Sequence, residues 1–239
     1  MQIRAVLWDI DDTIFDYAGA DRAGMLGHLR AEGLTDRFAT VEEALLRWQE
    51  LTRFHWARFA AGGVDYEAQR RDQVRDFLGE PLDDDEAAAW FARYLGHYET
   101  AWKLFPDTVP ALDVLAADYR HAVLSNASVR NQERKLRVLG VRDRFETVLC
   151  AAELGVSKPA AEAFHAACRA MALRPEEVAY VGDQPDIDAR GAVEAGLTGI
   201  WLDRLGLGGR PELTRITGLD QLPGLLRGDT RFGASETFG

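Results

Sequence analysis

The chain has 239 residues, with 28 basic against 39 acidic side chains and a formal net charge of −11. That length allows one large domain or two smaller ones with a sizeable core, and the acidic balance argues against a nucleic-acid polymer as partner, because polyanions are repelled. No apolar run approaches the roughly 20 residues that span a bilayer, and no apolar signal segment opens the chain. Two cysteines, Cys150 and Cys168, form no metal-ligand spacing and read as buried thiols of a reducing compartment. The expectation is a soluble, cytoplasmic protein with no membrane partner, a monomer or homodimer.

Ile3 to Trp8 reads as a buried strand, and Asp9-Ile10-Asp11-Asp12-Thr13 follows at its C-terminal end. From Asp16 to about Trp102 the pattern is helical only. Tyr17, Asp21, Met25, His28 and Leu29 follow helical spacing up to Gly33. Thr40 with Glu43 forms a capping-box pattern for a second helix, with Val41, Ala44, Leu45, Trp48 and Leu51 as its stripe. A third helix is expected over 65–78 and a fourth over 84–102.

Strand and helix alternate after Phe105. Helices are expected at 108–119, 129–139, 159–173 and 186–195, and strands at 121–125, 145–150, 178–181 and 198–202. Pro159 is expected in the first turn of its helix. Single helices between strands imply right-handed crossovers and a mainly parallel sheet. Beyond Asp203 a glycine-rich loop, one short helix at 219–226 and a frayed last dozen residues are expected. The fold class is therefore α/β, a doubly wound Rossmann-like parallel sheet core (1–15 and 103–239) with an inserted four-helix cap domain (16–102). Insertion after the first strand puts the cap over the strand ends.

In open parallel sheets ligands bind beyond the carboxyl ends of the strands, and polar groups collect there. Asp9 and Asp11, separated by one residue, either form an exposed acidic turn or share a site with a divalent cation that offsets their repulsion. Ser125-Asn126 can cap the next helix or donate to an anion. Lys158 either is a solvated loop residue or adds positive charge at a helix N-terminus that already favours anions. Gly182-Asp183 repeats the strand-end carboxylate, with Gly182 allowing a tight turn, and Asp186 and Asp188 suit a helix N-terminus. Oxygen donors without sulfur suit Mg²⁺, and the scattered histidines offer no zinc pair.

Four motifs in this order make the chain resemble the haloacid dehalogenase superfamily, in the branch with a helical cap after the first motif. They are D-x-D-x-T at Asp9–Thr13, the apolar strand ending Val123-Leu124-Ser125-Asn126, Lys158 in Ser157-Lys158-Pro159, and G-D-x-x-x-x-D from Gly182-Asp183 to Asp188, with Gly191-Ala192 beyond. The resemblance spans Ile3 to Leu202. Asp12 stands where glycine is commoner, and Asp11 is acidic where the dehalogenases that named the family are not, which favours phosphate chemistry.

What the resemblance implies is a Mg²⁺-dependent phosphatase acting on a small phosphorylated metabolite through an aspartyl-phosphate. Asp9 would be the nucleophile and Asp11 the general acid and base. Asp9, Asp183 and the Asp11 carbonyl would hold the metal. Ser125, Lys158 and the Asn126 amide would grip the phosphoryl oxygens, with Thr13 and Asp188 supporting. Alternatives are a phosphomutase or dehalogenase of the same family, or a silent binding protein. In the cap, Arg47, Arg53, His55, Trp56 and Arg58 either recognise the substrate or pair within the cap.

Overall fold

The computed structural model describes residues 2–60 and 62–228. The expected fraying of the last dozen residues falls, beyond residue 228, outside the described residues. The chain divides into two compact units, 1–16 with 103–239 and 17–102.

The first unit begins with β1 (Ala5–Trp8), four residues with no solvent exposure. An unbroken apolar tetrapeptide suits a strand covered on both faces. The chain then enters the helical unit, α1 (Tyr17–Ala31), α2 (Val41–Ala60), α3 (Tyr66–Leu78) and α4 (Asp84–Thr100). Local chemistry explains the helix starts. Thr40 Oγ1 accepts from the Glu43 N–H at 3.0 Å, and the Glu43 carboxylate accepts from the Ala39 N–H at 2.9 Å. Asp65 caps α3, and Asp83 with Glu86 forms a full capping box for α4. Trp48 centres the core of this unit, its ring 4.8 Å from that of Tyr94, 5.3 Å from Phe77 and 5.7 Å from Trp90. Helices α1 and α4 pack closely at Gly24, where a Cβ would lie 2.5 Å from the Tyr98 Cα.

Back in the first unit follow α5 (Thr108–Leu115), β2 (Arg120–Ser125), α6 (Val129–Val138), β3 (Thr147–Cys150), α7 (Ala151–Leu154) and α8 (Ala161–Ala170). Then come β4 (Val178–Gly182), a π-helical turn at Pro185–Arg190, α9 (Gly191–Glu194), β5 (Thr198–Leu202), β6 (Thr214–Ile216) and α10 (Leu222–Arg227). The six strands are all parallel, in the order β3-β2-β1-β4-β5-β6. Leu7, Leu124, Phe164, Met171 and Tyr180 belong to one buried cluster formed by the sheet with α8 and α9; burying each such side chain contributes about 1.5–3 kcal/mol.

Three expectations change. Strand β6 replaces an expected loop; it is three residues long with two exposed, so it carries no apolar alternation. Helix α8 starts at Ala161, not Pro159, because residues 157–160 form a turn closed by the Ala160 N–H on the Ser157 carbonyl at 3.0 Å. Lys158 therefore stands three residues before the helix instead of immediately before it. The helix expected from Asp186 begins as the wider π turn.

Candidate active site

Strand β1 pairs with β2 on one side and β4 on the other, and successive strands run outward from it in both directions. Asp9 leaves β1 at this switch in strand order, where parallel sheets open a crevice. Its N–H still donates to the Val181 carbonyl at 2.9 Å. Ser125 ends β2 and Gly182 ends β4, so three strand ends meet there. The segment after Asp9 is tied down within the same unit. The Asp16 N–H donates to the Lys103 carbonyl, and the Phe105 N–H and Thr108 hydroxyl both donate to the Ile14 carbonyl. Arg204 donates to the Thr13 carbonyl at 2.7 Å while gripping Asp107.

Lys158 is the hub. Its Nζ donates to Asp9 Oδ1 at 2.7 Å, Asp188 Oδ1 at 2.7 Å and the Tyr180 hydroxyl at 2.6 Å, which uses all three hydrogens. Burial opposes its charge, but Asp188 and Asp9 outweigh that and hold the ammonium well above its ordinary value. The geometry thus gives Lys158 the task of pairing carboxylates. Asn126 holds the turn that carries Lys158. Its side-chain NH₂ donates to the Lys158 carbonyl at 2.9 Å, and its Oδ1 accepts from the Lys158 N–H at 2.8 Å. That amide is a clamp on the turn that carries Lys158, because both of its polar ends meet that one peptide backbone. Nor does either residue of Ser125-Asn126 cap α6; Ser128 does, through the Asn131 N–H.

Asp188 belongs to the cluster fully. It has no exposed surface, and its Oδ2 accepts from the Gln184 N–H at 3.0 Å. Gly182 explains itself here. A Cβ at that position would lie 2.4 Å from Asp188 Oδ2, so glycine makes room for this carboxylate more than for a turn. Asp186, by contrast, faces outward and pairs with Arg190 and Arg210. Thr13 donates to Asp9 Oδ2 at 3.3 Å. Asp12 has φ 58, which supplies a reason for glycine's usual place there.

Asp9, Asp183 and Asp188 bring oxygens within 4.8 Å of one another. Burial pushes the Asp9 carboxyl above the usual carboxylate range, opposed by Lys158 and reinforced by Asp188 and Asp11. Burial likewise raises Asp183, with Asp9, Asp188 and Asp12 adding to it. Asp183 Oδ1 is buried without any hydrogen-bond partner, while Trp201 Nε1 fixes the Asp183 carbonyl at 2.9 Å. A buried orphan carboxylate oxygen beside two more carboxylates fits a hard divalent cation. The carboxylate of Asp11 is not part of this group. It faces α6, where Lys135 and Gln132 meet it.

Tyr180, Gln132 and Lys135 were not signalled by any motif. Tyr180 sits inside an apolar strand, its ring edge-on to Phe164 at 5.1 Å. Gln132 and Lys135 lie with Leu136 on the buried face of α6, which only the structure shows. In the helical unit, three of the candidate substrate-recognising residues are spent internally. Arg47 donates to the Asp76 carbonyl, His55 meets Asp76 at 2.9 Å, and Arg58 meets both His55 and Asp72. They pin α2 to α3.

A family model described as a haloacid dehalogenase-like hydrolase matches residues 3–196. The chain belongs to that hydrolase family. This hydrolase is 31% identical over 234 residues to a phosphoserine phosphatase of Thermus thermophilus, covering 88% of this chain and 91% of the relative. It is 29% identical over 209 residues to a glyceraldehyde 3-phosphate phosphatase of Methanopyrus kandleri, covering 84% of each chain. In three dimensions it resembles the HAD-hydrolase YfnB of Bacillus subtilis bound to magnesium, with TM-score 0.78 at 20% identity over 95% of this chain and 99% of the other. A 2-haloacid dehalogenase of Pseudomonas syringae aligns with TM-score 0.65 at 27% identity, over 95% of this chain and 99% of that one.

Proposed function

We propose that this hydrolase is a phosphatase of small alkyl phosphomonoesters. One observation carries the reading. The buried carboxylates Asp9 and Asp188 share the Lys158 ammonium, and the half-buried Asp183 stands beside them with its Oδ1 unpaired. That charge deficit suits a divalent cation and a phosphoryl group arriving together. Relatives named for phosphoserine and for glyceraldehyde 3-phosphate support a phosphate on a primary carbon of a small polar molecule.

Asp9 attacks phosphorus in line, and the ester P–O bond breaks as the aspartyl P–O bond forms. The departing alkoxide takes a proton from the Asp11 carboxyl. Water then attacks phosphorus while Asp11 takes its proton, and Asp9 leaves as carboxylate. Ser125 donates to a phosphoryl oxygen. Lys158 keeps Asp9 and Asp188 in place and offsets their charge. Mg²⁺ would be held by the carboxylates of Asp9 and Asp183 with the Asp11 carbonyl, and when bound it supplies charge neutralisation to the phosphoryl oxygens. Cleaving a carbon–halogen bond expels halide, which needs no proton, so the acid role of Asp11 has no task in dehalogenation.

The test is phosphate release from phosphoserine, glyceraldehyde 3-phosphate, ribose 5-phosphate and p-nitrophenyl phosphate, with Mg²⁺ and with chelator. Release that needs Mg²⁺ and is lost in Asp9→Asn supports the reading. Release that persists in Asp9→Asn, or none from any ester, sinks it.

A further inference from the structure

Asp11 is held by two side chains of α6 that no motif includes. Gln132 Nε2 donates to Asp11 Oδ2 at 2.8 Å and to Ser125 Oγ at 3.0 Å, which uses both of its hydrogens. Lys135 Nζ pairs with Asp11 Oδ1, and its ammonium lies 4.3 Å from the centre of the Phe15 ring. Gln132 is fully buried and the Lys135 side chain is 8% exposed, whereas that of Asp11 is 34% exposed. The network therefore opens to solvent on the side of the carboxylate.

We propose that Gln132 and Lys135 are positioning residues that fix the Asp11 carboxylate and the Ser125 hydroxyl relative to each other for proton transfer to the leaving group. The inference rests on the phosphatase reading and adds to it. A buried lysine and a buried glutamine are costly on the inward face of a helix. Gln132 Oε1 has no hydrogen-bond partner, so an apolar side chain of similar size would avoid the cost of an orphaned acceptor. What glutamine supplies and leucine cannot is the pair of donors. Ser125 Oγ accepts from Gln132 and also from the Ala127 N–H at 3.3 Å, so its own hydrogen is left to donate to a phosphoryl oxygen. Both Asp11 oxygens are held, which selects one rotamer for the acid. The spacing of Gln132 and Lys135, three apart on α6, puts both on one face. A single helix thus sets the register between acid and phosphate donor, where a misplacement of about 1 Å costs on the order of 10²-fold.

The experiment compares kcat/KM of the native protein, Lys135→Met and Gln132→Met on phosphoserine, glyceraldehyde 3-phosphate and ribose 5-phosphate against p-nitrophenyl phosphate. Methionine keeps the stem packing in each case. Nitrophenolate leaves without a proton, so only the alkyl esters need a well-placed acid. Expected for Lys135→Met is a loss of about 10- to 100-fold on the alkyl esters and under about threefold on p-nitrophenyl phosphate, whereas Gln132→Met, which also releases the Ser125 phosphate donor, should lose rate on both kinds of ester and more on the alkyl ones. Adding Lys135→Met to Asp11→Asn should change kcat/KM by less than about twofold, since the lysine acts through Asp11. Lys135→Arg should recover part of the alkyl-ester rate. Equal losses on both kinds of ester in either variant, an additive loss of Lys135→Met in the Asp11→Asn background, or unchanged rates would each overturn the proposal. A native protein that releases no phosphate overturns the phosphatase reading instead. Crystal structures of Lys135→Met and Gln132→Met then decide the placement itself: an Asp11 carboxylate that leaves its position supports the clamp, and one that stays refutes it.

Discussion

The parallel-sheet unit and the helical unit both bury charged and polar side chains, but they do so differently. In the sheet unit, Asp9, Asp183, Asp188, Lys158, Gln132 and Lys135 converge on adjoining strand ends, and the carboxylates outnumber what the protein pairs. In the helical unit the buried Asp21 and Gln73 are answered locally. Asp21 accepts from Trp48 Nε1 at 3.2 Å and from the Tyr94 hydroxyl at 2.5 Å, and Gln73 donates to Thr52 at 2.7 Å. A buried carboxylate closed by its own donors is structure; a cluster left electrostatically short by one cation is a site.

The largest effect that could break this contrast comes from the two aspartates. Asp9→Asn should lower phosphate release by about 10⁴-fold or more, with the thermal midpoint within a few degrees of native. Asp21→Ala should leave Trp48 and Tyr94 without an acceptor and cost about 2–3 kcal/mol in a denaturant titration. A variant at Asp21 that loses turnover at native stability would show that the helical unit, too, holds a reacting group.

Asp183→Asn sharpens the electrostatic half. The folded Asp183 titrates above its unfolded value, so its favourable share of stability is complete below the ordinary carboxylate range and is lost as pH rises through the folded value. The metal-free native protein is therefore strained at pH 8, and Asp183→Asn should melt higher there by calorimetry. Mg²⁺ at a hundredfold excess over its Kd should stabilise the native protein by about 2.7 kcal/mol and the variant by much less. Equal responses would remove Asp183 from the metal site.

His28 of the helical unit and His121 of the sheet unit, both buried, give the next contrast. Burial lowers both His28 and His121 from 6.5 to about 4. The unfolded chain binds the proton first, so stability falls as pH drops from 6.5 to about 4, by about 3 kcal/mol per histidine at most. Neither His28 nitrogen has a partner, whereas His121 Nδ1 accepts from Trp8 Nε1 at 3.0 Å. His28→Phe should raise stability by about 1 kcal/mol at pH 7 and flatten the acid limb, and His121→Phe should cost about 1–2 kcal/mol by stranding the indole. The smallest effect is at Asp12, whose φ of 58 strains a non-glycine residue. Asp12→Gly should gain at most about 1 kcal/mol, because the flexible unfolded chain offsets part of the relief.

The strand ends were legible because an apolar run followed by a carboxylate or hydroxyl needs only local spacing, and Asp9, Ser125, Lys158, Asp183 and Asp188 all fall in one region. Strand β6 was not, since a three-residue strand has no period to detect. Tyr180, Gln132 and Lys135 belong to no motif, so local spacing gave no sign of them. The sequence marks Asn126 only as a strand-end donor, and not its clamp on Lys158, 32 residues away.

Local chemistry was enough to set the order of the first five strands, the Thr40 cap that starts α2, and which polar groups stand where the strands stop. Packing alone set their partners. Lys158 meets Asp9 across 149 residues of sequence, and Lys135 meets Asp11 across 124. A side chain's identity states what it can donate or accept, and only the arrangement of elements around β1 determines which group stands within reach of it.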